Sequence, residues 1–449
     1  MSARAATSES TSRASAARRI LQVLGALFTY GLLPLLVPAR RRRSPGPVRL
    51  RRALETLGGA WIKLGQLLAL RFDLLPEAYC VELFGLLNRV APFPYAEVER
   101  ILRSELGREV QEIFASFERE PFGSASIGQV HDAVLHNGRR VAVKVQRPGI
   151  DALLMCDIAL MYRFSRLLDR THLLGGTRSR ELIDELARWT REELDYNAEA
   201  ANAATMRAHV RDENTEYDPE ILLDYTTRRV LTAERLDGLL LVDIIRDLRA
   251  DREDCTRRLR EAGYDLEQAA TNIVRNFLSQ AYANGIFHGD LHPANLILLP
   301  GNRIGYVDFG IIGRLSESVH ESLGRYAMHL FGGEADAAVD DFLQWLRPSA
   351  KTDLAATKRE MVELTERFLE NLEHATSHRR EILVRYQIDL LSATRKHRMV
   401  IQPAVILYMK VVLTIDAVTT ELAPTLDVQS LHAQFFAELI IEGIEKPER

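Results

Sequence analysis

Asp290 and Asn295 stand five residues apart in Phe287-His288-Gly289-Asp290-Leu291-His292-Pro293-Ala294-Asn295-Leu296-Ile297-Leu298, and Asp308 follows in Val307-Asp308-Phe309-Gly310. A carboxylate that can accept a hydroxyl proton, an amide that can ligate a cation, and a second carboxylate for Mg²⁺ are the parts that phosphoryl transfer requires. The first two fall in a short polar loop after an apolar approach. Residues 304–307 read as a short buried strand that delivers Asp308. Asp-Phe-Gly alone is a frequent tripeptide, so the weight rests on the joint spacing. The bland alternative is a polar turn between two strands.

Other elements must position this loop. Arg140-Val141-Ala142-Val143-Lys144-Val145-Gln146 alternates as a strand and follows Phe122-Gly123-Ser124-Ala125-Ser126-Ile127-Gly128-Gln129-Val130-His131, a small-residue turn between strand-like segments. A loop of tiny residues lets backbone N–H groups close over phosphates, which makes Ser124, Ala125, Ser126, Ile127, Gly128, Gln129 and Val130 candidate nucleotide contacts. A lysine on the next strand is where a kinase keeps its α/β-phosphate contact, so Lys144 points to ATP with Mg²⁺. His-Gly-Asp replaces the His-Arg-Asp of protein kinases, while the Asp-to-Asn offset is kept. Residues 179–208 read as one long helical pattern carrying Glu192, Glu193, Asp195 and Glu199. Acids on such helices are usually solvated, yet one must partner Lys144, because an unpaired lysine in a cleft is costly. Residues 227–232 form a strand leading to Ala233-Glu234-Arg235-Leu236-Asp237-Gly238, the place for an inter-lobe hinge. Backbone groups around Glu234 and Leu236 would read the adenine there.

With 449 residues, 47% hydrophobic and 27% charged, the chain is globular and long enough for two or three domains. A net charge of −4 gives no nucleic-acid signature, but its distribution is uneven. Residues 1–52 hold eleven arginines against Glu9, a balance of +10, which leaves −14 for the remainder. A basic end on an acidic body suits an anionic membrane surface. Cys80, Cys156 and Cys255 match neither a disulfide framework nor a zinc site, which suits a reducing compartment.

Residues 1–17 read as a disordered Ser/Ala/Arg tail. The apolar run 20–37, broken by Gln22, Thr29 and Pro34 and followed by Arg40 to Arg43, has three readings. It can lie amphipathically on the body or in a bilayer interface, span a membrane at the short limit, or act as a signal segment with a poor cleavage context. The first fits the charge flanks best. Residues 49–71 read as one helix carrying Lys63-Leu64-Gly65-Gln66, with Lys63 and Gln66 on one face and Gly65 allowing another backbone to approach. Taken alone, Lys63 is an ordinary snorkelling lysine. Residues 77–88 and 95–106 continue as helices. Residues 239–284 and nearly everything after 315 read as helical with few strand signals. No Ala-Pro-Glu follows Asp308, so a peptide-substrate platform is not expected.

Taken together, Lys63-x-Gly65-Gln66, the Ser124–His131 loop, Val141-Ala142-Val143-Lys144 through Gly149, Glu193-x-Asp195 with Glu199, and His288-Gly289-Asp290-Leu291-His292-Pro293 resemble the UbiB-like atypical kinase family over roughly residues 50–425. The resemblance implies an α+β, two-lobed protein-kinase-like fold with a helical N-terminal extension and an enlarged helical C-lobe. The expected segments are a basic tail and apolar segment (1–48), a K-x-G-Q extension (49–119), an N-lobe (120–236) and a C-lobe (237–449). It implies that Lys63 and Gln66 cover the site where a peptide would bind, that Glu193 and Asp195 engage Lys63, and that Glu199 partners Lys144. Asp290 takes the catalytic-loop role, and Asn295 and Asp308 hold Mg²⁺. Implied ligands are ATP and isoprenoid-quinone precursors or other lipids. The implied setting is the cytoplasmic face of a bacterial-type membrane, with a homodimer as one assembly. Departures are Gly123 and Ser124 where the family usually has alanines, which bears on nucleotide choice, and Leu87-Asn88 without the family's acid. Two other readings share parts of the pattern. A small-molecule phosphotransferase explains the catalytic loop but not Lys63 or Glu193-x-Asp195. A nucleotide-sensing scaffold would bind ATP without useful turnover.

Overall fold

Val141, Val143 and Val145 alternate along one strand and are fully buried, each contributing about 1.5–3 kcal/mol of apolar transfer. They anchor the main sheet of an α+β protein. The structure, a computed structural model, describes residues 18–32, 44–69, 71, 74–83, 85–86, 91–171, 179–374 and 379–445. The tail 1–17, the end of the apolar run, Arg40 to Arg43 and Leu87-Asn88 lie outside the described residues. The chain folds as two units: residues up to Phe93 with Gly123–Gln129 and Gln146–Leu194, and Pro94–Phe122 with Val130–Val145 and all from Asp195. The first therefore gathers the extension, the small-residue loop and two helices of the segment read as N-lobe.

The first unit is helical. Residues 18–26 form a helix that continues as a π turn, Leu27–Leu32. Then come α1 (Gly46–Leu57) and α2 (Ala60–Ala69). The expected single helix over 49–71 is thus broken, because Gly58 and Gly59 take left-handed φ values of +62° and +56°. A Cβ on Gly59 would lie 2.7 Å from the Asp157 carboxylate. Asp157, on α3 (Ile150–Thr171) and wholly buried, accepts from the Ala60 amide at 3.2 Å. It also takes the Arg19 guanidinium in a fork of 2.6 and 2.8 Å. Val23 and Ala26 pack with Leu57 and Leu160 in a small core. One face of the N-terminal segment therefore lies on the body, while Leu21, Leu24 and Phe28 are exposed. Among the described residues no helix is long and apolar enough to cross a membrane. The unit ends with α4 (Ser179–Glu193).

In the second unit, α5 (Tyr196–Ala208) follows directly, capped by Asp195, whose carboxylate accepts from the Asn197 amide at 3.0 Å. That cap divides the expected long helix over 179–208, and Asp195 is not on a face shared with Glu199. A competing side-chain bond of this kind is why Asp starts helices. One sheet, mostly of this unit, runs β1 (Phe114–Phe117), β3 (Gly128–Leu135), β4 (Arg140–Gln146), β6 (Val230–Glu234), while β2 (Gly123–Ser124) belongs to the first unit. Antiparallel β4 and β6 set Lys144 opposite Leu231. A second sheet orders β5 (Glu216–Tyr217), β10 (Ile304–Tyr306), β9 (Leu296–Leu298) and β7 (Leu239–Leu240). β8 (Ile286–His288) pairs with β11 (Ile312–Arg314). The larger core joins α6 (Leu241–Ala250), α7 (Leu266–Leu278), the loop through Leu291 and two C-terminal helices. Among the described residues beyond α8 (Glu317–Phe331) the elements are helices except for one short antiparallel pair, Leu346–Pro348 with Met399–Ile401. Its buried Leu346, Met399 and Ile401 close a helical hairpin, a pairing too short to show as alternation.

Replacing Arg19 by Met leaves the buried Asp157 charge with the Ala60 amide alone. A loss of roughly 3–5 kcal/mol is expected in denaturant unfolding, the cost of stranding one partner of a buried pair. A change below about 1 kcal/mol, the range of an exposed pair, would show that Asp157 is solvated.

Candidate active site

β4 presents Lys144 on the face opposite its buried valines. The ammonium donates to both carboxylate oxygens of Glu199, at 2.8 and 2.9 Å. Asp308 Oδ2 stands 3.3 Å away, and the ring of Tyr196 lies beneath at 5.1 Å to its centroid. Burial alone would pull the lysine pKa down, but the Asp308 and Glu199 carboxylates outweigh it and hold it well above its ordinary value. The lysine is therefore a fixed cation. Tyr196 and Glu199 lie three apart in the first turn of α5, so the cap at Asp195 orients both.

Asp290 sits where β8 ends. His288 is buried, and its Nδ1 accepts from the Asp290 amide at 3.1 Å, which leaves Nε2–H to donate to Val307 O at 3.3 Å. Burial lowers the histidine pKa, so a neutral imidazole bridges the loop to the strand before Asp308. Lys410 Nζ donates to Asp290 Oδ1 at 2.7 Å, and Asn295 Nδ2 donates to Asp290 O at 3.0 Å and Oδ2 at 3.4 Å. Burial would raise the Asp290 pKa, but Lys410 outweighs it and the carboxyl is held below its ordinary range. A glycine precedes Asp290 for a steric reason. A Cβ on Gly289 would lie 2.7 Å from Ile311 Cγ2, 2.9 Å from Ile311 O and 3.1 Å from a Leu407 methyl.

Antiparallel pairing of β9 with β10 places Leu296 opposite Tyr306, and Val307 N donates to Asn295 O at 3.0 Å. Asn295 and Asp308 thus flank the same end of one hairpin. Asn295 spends its N–H₂ on Asp290, which leaves Oδ1 for a cation, and Asp308 adds a half-exposed carboxylate. Two hard oxygen donors fit Mg²⁺, which takes few protein ligands and completes its shell with waters and phosphates. Asp308 has a φ of +62°, a conformation that costs of order 1–3 kcal/mol and marks functional sites. The Gly310 amide donates to its Oδ1 at 3.3 Å, and Asn202 Nδ2 holds Phe309 O at 3.0 Å.

Within the other unit, Lys63 Nζ donates to Glu193 Oε2 in a part-buried ion pair. Gln66 is half-buried on the same side of α2. Gly65 makes room for side chains, since a Cβ there would fall 2.3 Å from a Leu86 methyl and 2.7 Å from one of Leu54. In the small-residue loop, Ala125 N bonds Gly128 O at 2.8 Å, closing a tight turn with Ser124 and Ser126 half-buried. Ile127 is buried, and Gln129 is bound through its amide to the Phe93 main chain at 2.8 and 3.2 Å. Val130 continues β3. At the hinge, the Glu234 carboxylate accepts from Tyr217 Oη at 2.9 Å and the Glu220 amide at 3.2 Å. Leu236 is buried, its carbonyl taken by Arg235 Nη1 at 2.8 Å.

Spacing and pattern do not single out Lys410, Tyr196 or Asn202 as site residues. A signal exists for Lys410: it is a lone cation between Pro403 and Thr414 in the apolar helix Pro403–Leu422. The others are ordinary residues whose roles depend on neighbours far along the chain.

Residues 85–341 match the family model for the ABC1 atypical kinase-like domain. The chain is 32% identical over 400 residues to the probable protein kinase UbiB of Marinobacter nauticus, covering 87% of this chain and 69% of that protein. It is 33% identical over 409 residues to the probable protein kinase UbiB of Cellvibrio japonicus, with 89% and 70% covered. The chain belongs to the ABC1 atypical kinase-like family. Its fold is protein-kinase-like, in keeping with a solved structure of Rv3197 from Mycobacterium tuberculosis in complex with erythromycin. That structure has a TM-score of 0.55 and 27% identity, and the match covers 82% of this chain and 90% of that one. The ABC1 match spans Lys144, Glu199, Asp290, Asn295 and Asp308, whereas Lys63 and Lys410 fall outside it.

Gly289→Ala should displace the loop against Ile311. An overpacking cost of about 1–3 kcal/mol is expected in thermal unfolding, with activity falling more than stability. A variant with wild-type stability and activity would show that the Ile311 approach is soft.

Proposed function

We propose that this chain is a Mg²⁺-dependent, ATP-binding atypical kinase or ATPase that supports ubiquinone or related isoprenoid-quinone lipid metabolism. The contact of Lys144 with both Glu199 and Asp308 carries the reading, because phosphoryl transfer needs the lysine–glutamate pair and the metal-binding aspartate in place together. Lys144 would meet the α/β-phosphates. Asp290 would orient the acceptor hydroxyl and take its proton. Lys410 and Asn295 each hold one of its oxygens, so the carboxylate does not rotate. When bound, Mg²⁺ would neutralise charge on the phosphates, with Asn295 and Asp308 as its protein ligands.

The acceptor in this reading is small or lipidic. Asp308 is followed within four residues by β11 and then by α8 from Glu317, which leaves no length for a peptide-binding activation segment. The relatives' names support a kinase; the quinone setting rests on the family resemblance. Asp308→Asn should abolish Mg²⁺-dependent nucleotide binding measured by calorimetry, while Asp290→Asn should keep binding and lose turnover by about 10²-fold or more. Turnover is to be measured with anionic vesicles and quinone-precursor phenols. Undiminished binding by Asp308→Asn would overturn the metal assignment, and binding without turnover in the wild type would favour a nucleotide sensor.

We also infer that the N-terminal segment lies on an anionic membrane surface. Its exposed Leu21, Leu24 and Phe28 form one stripe beside a basic sequence, the pattern of an interfacial helix. Serine at all three positions should weaken flotation with anionic vesicles at least about tenfold; equal flotation would place the membrane contact elsewhere.

A further inference from the structure

A buried polar network outside the phosphoryl-transfer machinery leads to the catalytic loop. Glu216 on β5 and Asp218 just beyond it are 4% and 2% exposed. Neither Asp218 carboxylate oxygen has a hydrogen-bond partner among the described residues. Gln280 Nε2 donates to Glu216 Oε1 at 2.6 Å, and Gln280 Oε1 accepts from the His288 amide at 3.1 Å. The two bonds agree on the amide's orientation: His288 N can only donate, so Gln280 must show it oxygen and turn its N–H₂ to Glu216. Gln280 itself lies in a π-helical turn, Ser279–Ala283, an irregularity that tends to mark functional positions.

We propose that Gln280 is a positioning residue for the catalytic loop, and that it holds the loop while the Glu216–Asp218 pair carries a proton. The proposal rests on the phosphoryl-transfer reading for its effect on rate, but not for its effect on loop order. Two ionised carboxylates in a dry strand repel and lack solvation. One proton removes that cost. The charged or titratable groups facing the pair are Arg207, which donates to the Asp218 main-chain oxygen and stacks on Tyr217, and the Tyr306 hydroxyl, held by Asn276 Nδ2 at 3.2 Å. Arg207 lowers the Asp218 pKa without cancelling its burial. Losing the proton would draw Glu216 towards water. Because β5 pairs with β10 through Glu216 and Ile304, that shift would detach Gln280 and loosen the His288 amide.

Burial, with Asp218 beside it, pushes Glu216 up to about 8, and burial pushes Asp218 up to about 7. A folded-state pKa above the unfolded one means that the folded protein holds the extra proton. Order is then full on the acid side and lost as pH rises through the folded value.

The test follows hydrogen exchange of peptides covering His288 to Leu298, together with ATP turnover, from mildly acidic to alkaline pH in wild type, Glu216→Gln and Gln280→Leu. In the wild type, loop protection and kcat should fall together as pH passes about 8. Glu216→Gln stays neutral and still accepts from Gln280, so it should keep both across the range. Gln280→Leu should lose protection at every pH, with kcat down about tenfold or more and KM for ATP within about twofold. An alkaline loss that persists in Glu216→Gln, or wild-type exchange in Gln280→Leu, overturns the proposal. A wild type without turnover overturns the functional reading alone, since exchange still reports on the loop.

Discussion

A lysine ammonium almost cut off from water is tolerable only with opposing charge close by, and Lys144 has two carboxylates. Glu199 is buried with it and takes the ammonium on both oxygens, whereas Asp308 is half exposed. The first pair therefore persists on its own, since removing one partner of a buried pair strands the other. The Asp308 contact is the changeable one. A cation and phosphates arriving at Asp308 would exchange one ionic arrangement for another while Glu199 keeps the lysine in place. Burial, chain position and charge thus assign different tasks to the two acids. The cap at Asp195 and the ring of Tyr196 belong to this constraint, because they set the start of the helix that carries Glu199.

The remaining groups are held mainly through backbone bonds, and this explains why so few side chains identify the site. His288 links the Asp290 amide to the Val307 carbonyl, and Asn295 O meets Val307 N. The segments carrying Asp290 and Asn295 are thereby tied at Val307, the residue next to Asp308. The positive φ of Asp308 is sustained by its own bond to the Gly310 amide and by Asn202 on Phe309 O. Strain of this size needs several small restraints acting together.

How much of this is legible in the sequence depends on whether a role is local. Asp290, Asn295 and Asp308 can be read from spacing because a hairpin of short strands joins them, and Lys144 because strand alternation is a two-residue pattern. The breaks at Gly58-Gly59 and at Leu194-Asp195 read as continuous helix, since apolar periodicity survives across both and the deciding facts are a buried Asp157 and a cap. Lys63 reads as an ordinary surface lysine until Glu193 is placed beside it from far along the chain. Lys410 stands out only as a lone cation in an apolar helix, and Gln280 lies on a helix whose pattern reports packing alone. No local signal says that a helix residue meets a loop more than a hundred positions away.

Lys410 also shows why the loop can depart from the protein-kinase pattern. Glycine stands before Asp290 where His-Arg-Asp has arginine, and Ile311 and Leu407 come close enough to exclude even a Cβ there. His292 Nδ1 accepts from the Ala294 amide at 3.2 Å and caps the turn into Asn295. The lysine that meets the Asp290 carboxylate comes from outside the loop. A helix packed against Gly289 is well placed to deliver it, since the small residue that admits Leu407 brings the next turn, and Lys410, to Asp290. The close approach of Leu407 to Gly289 and the Lys410 contact with Asp290 are two sides of one packing arrangement, which ties the helical C-terminal region to the candidate site rather than leaving it as added bulk.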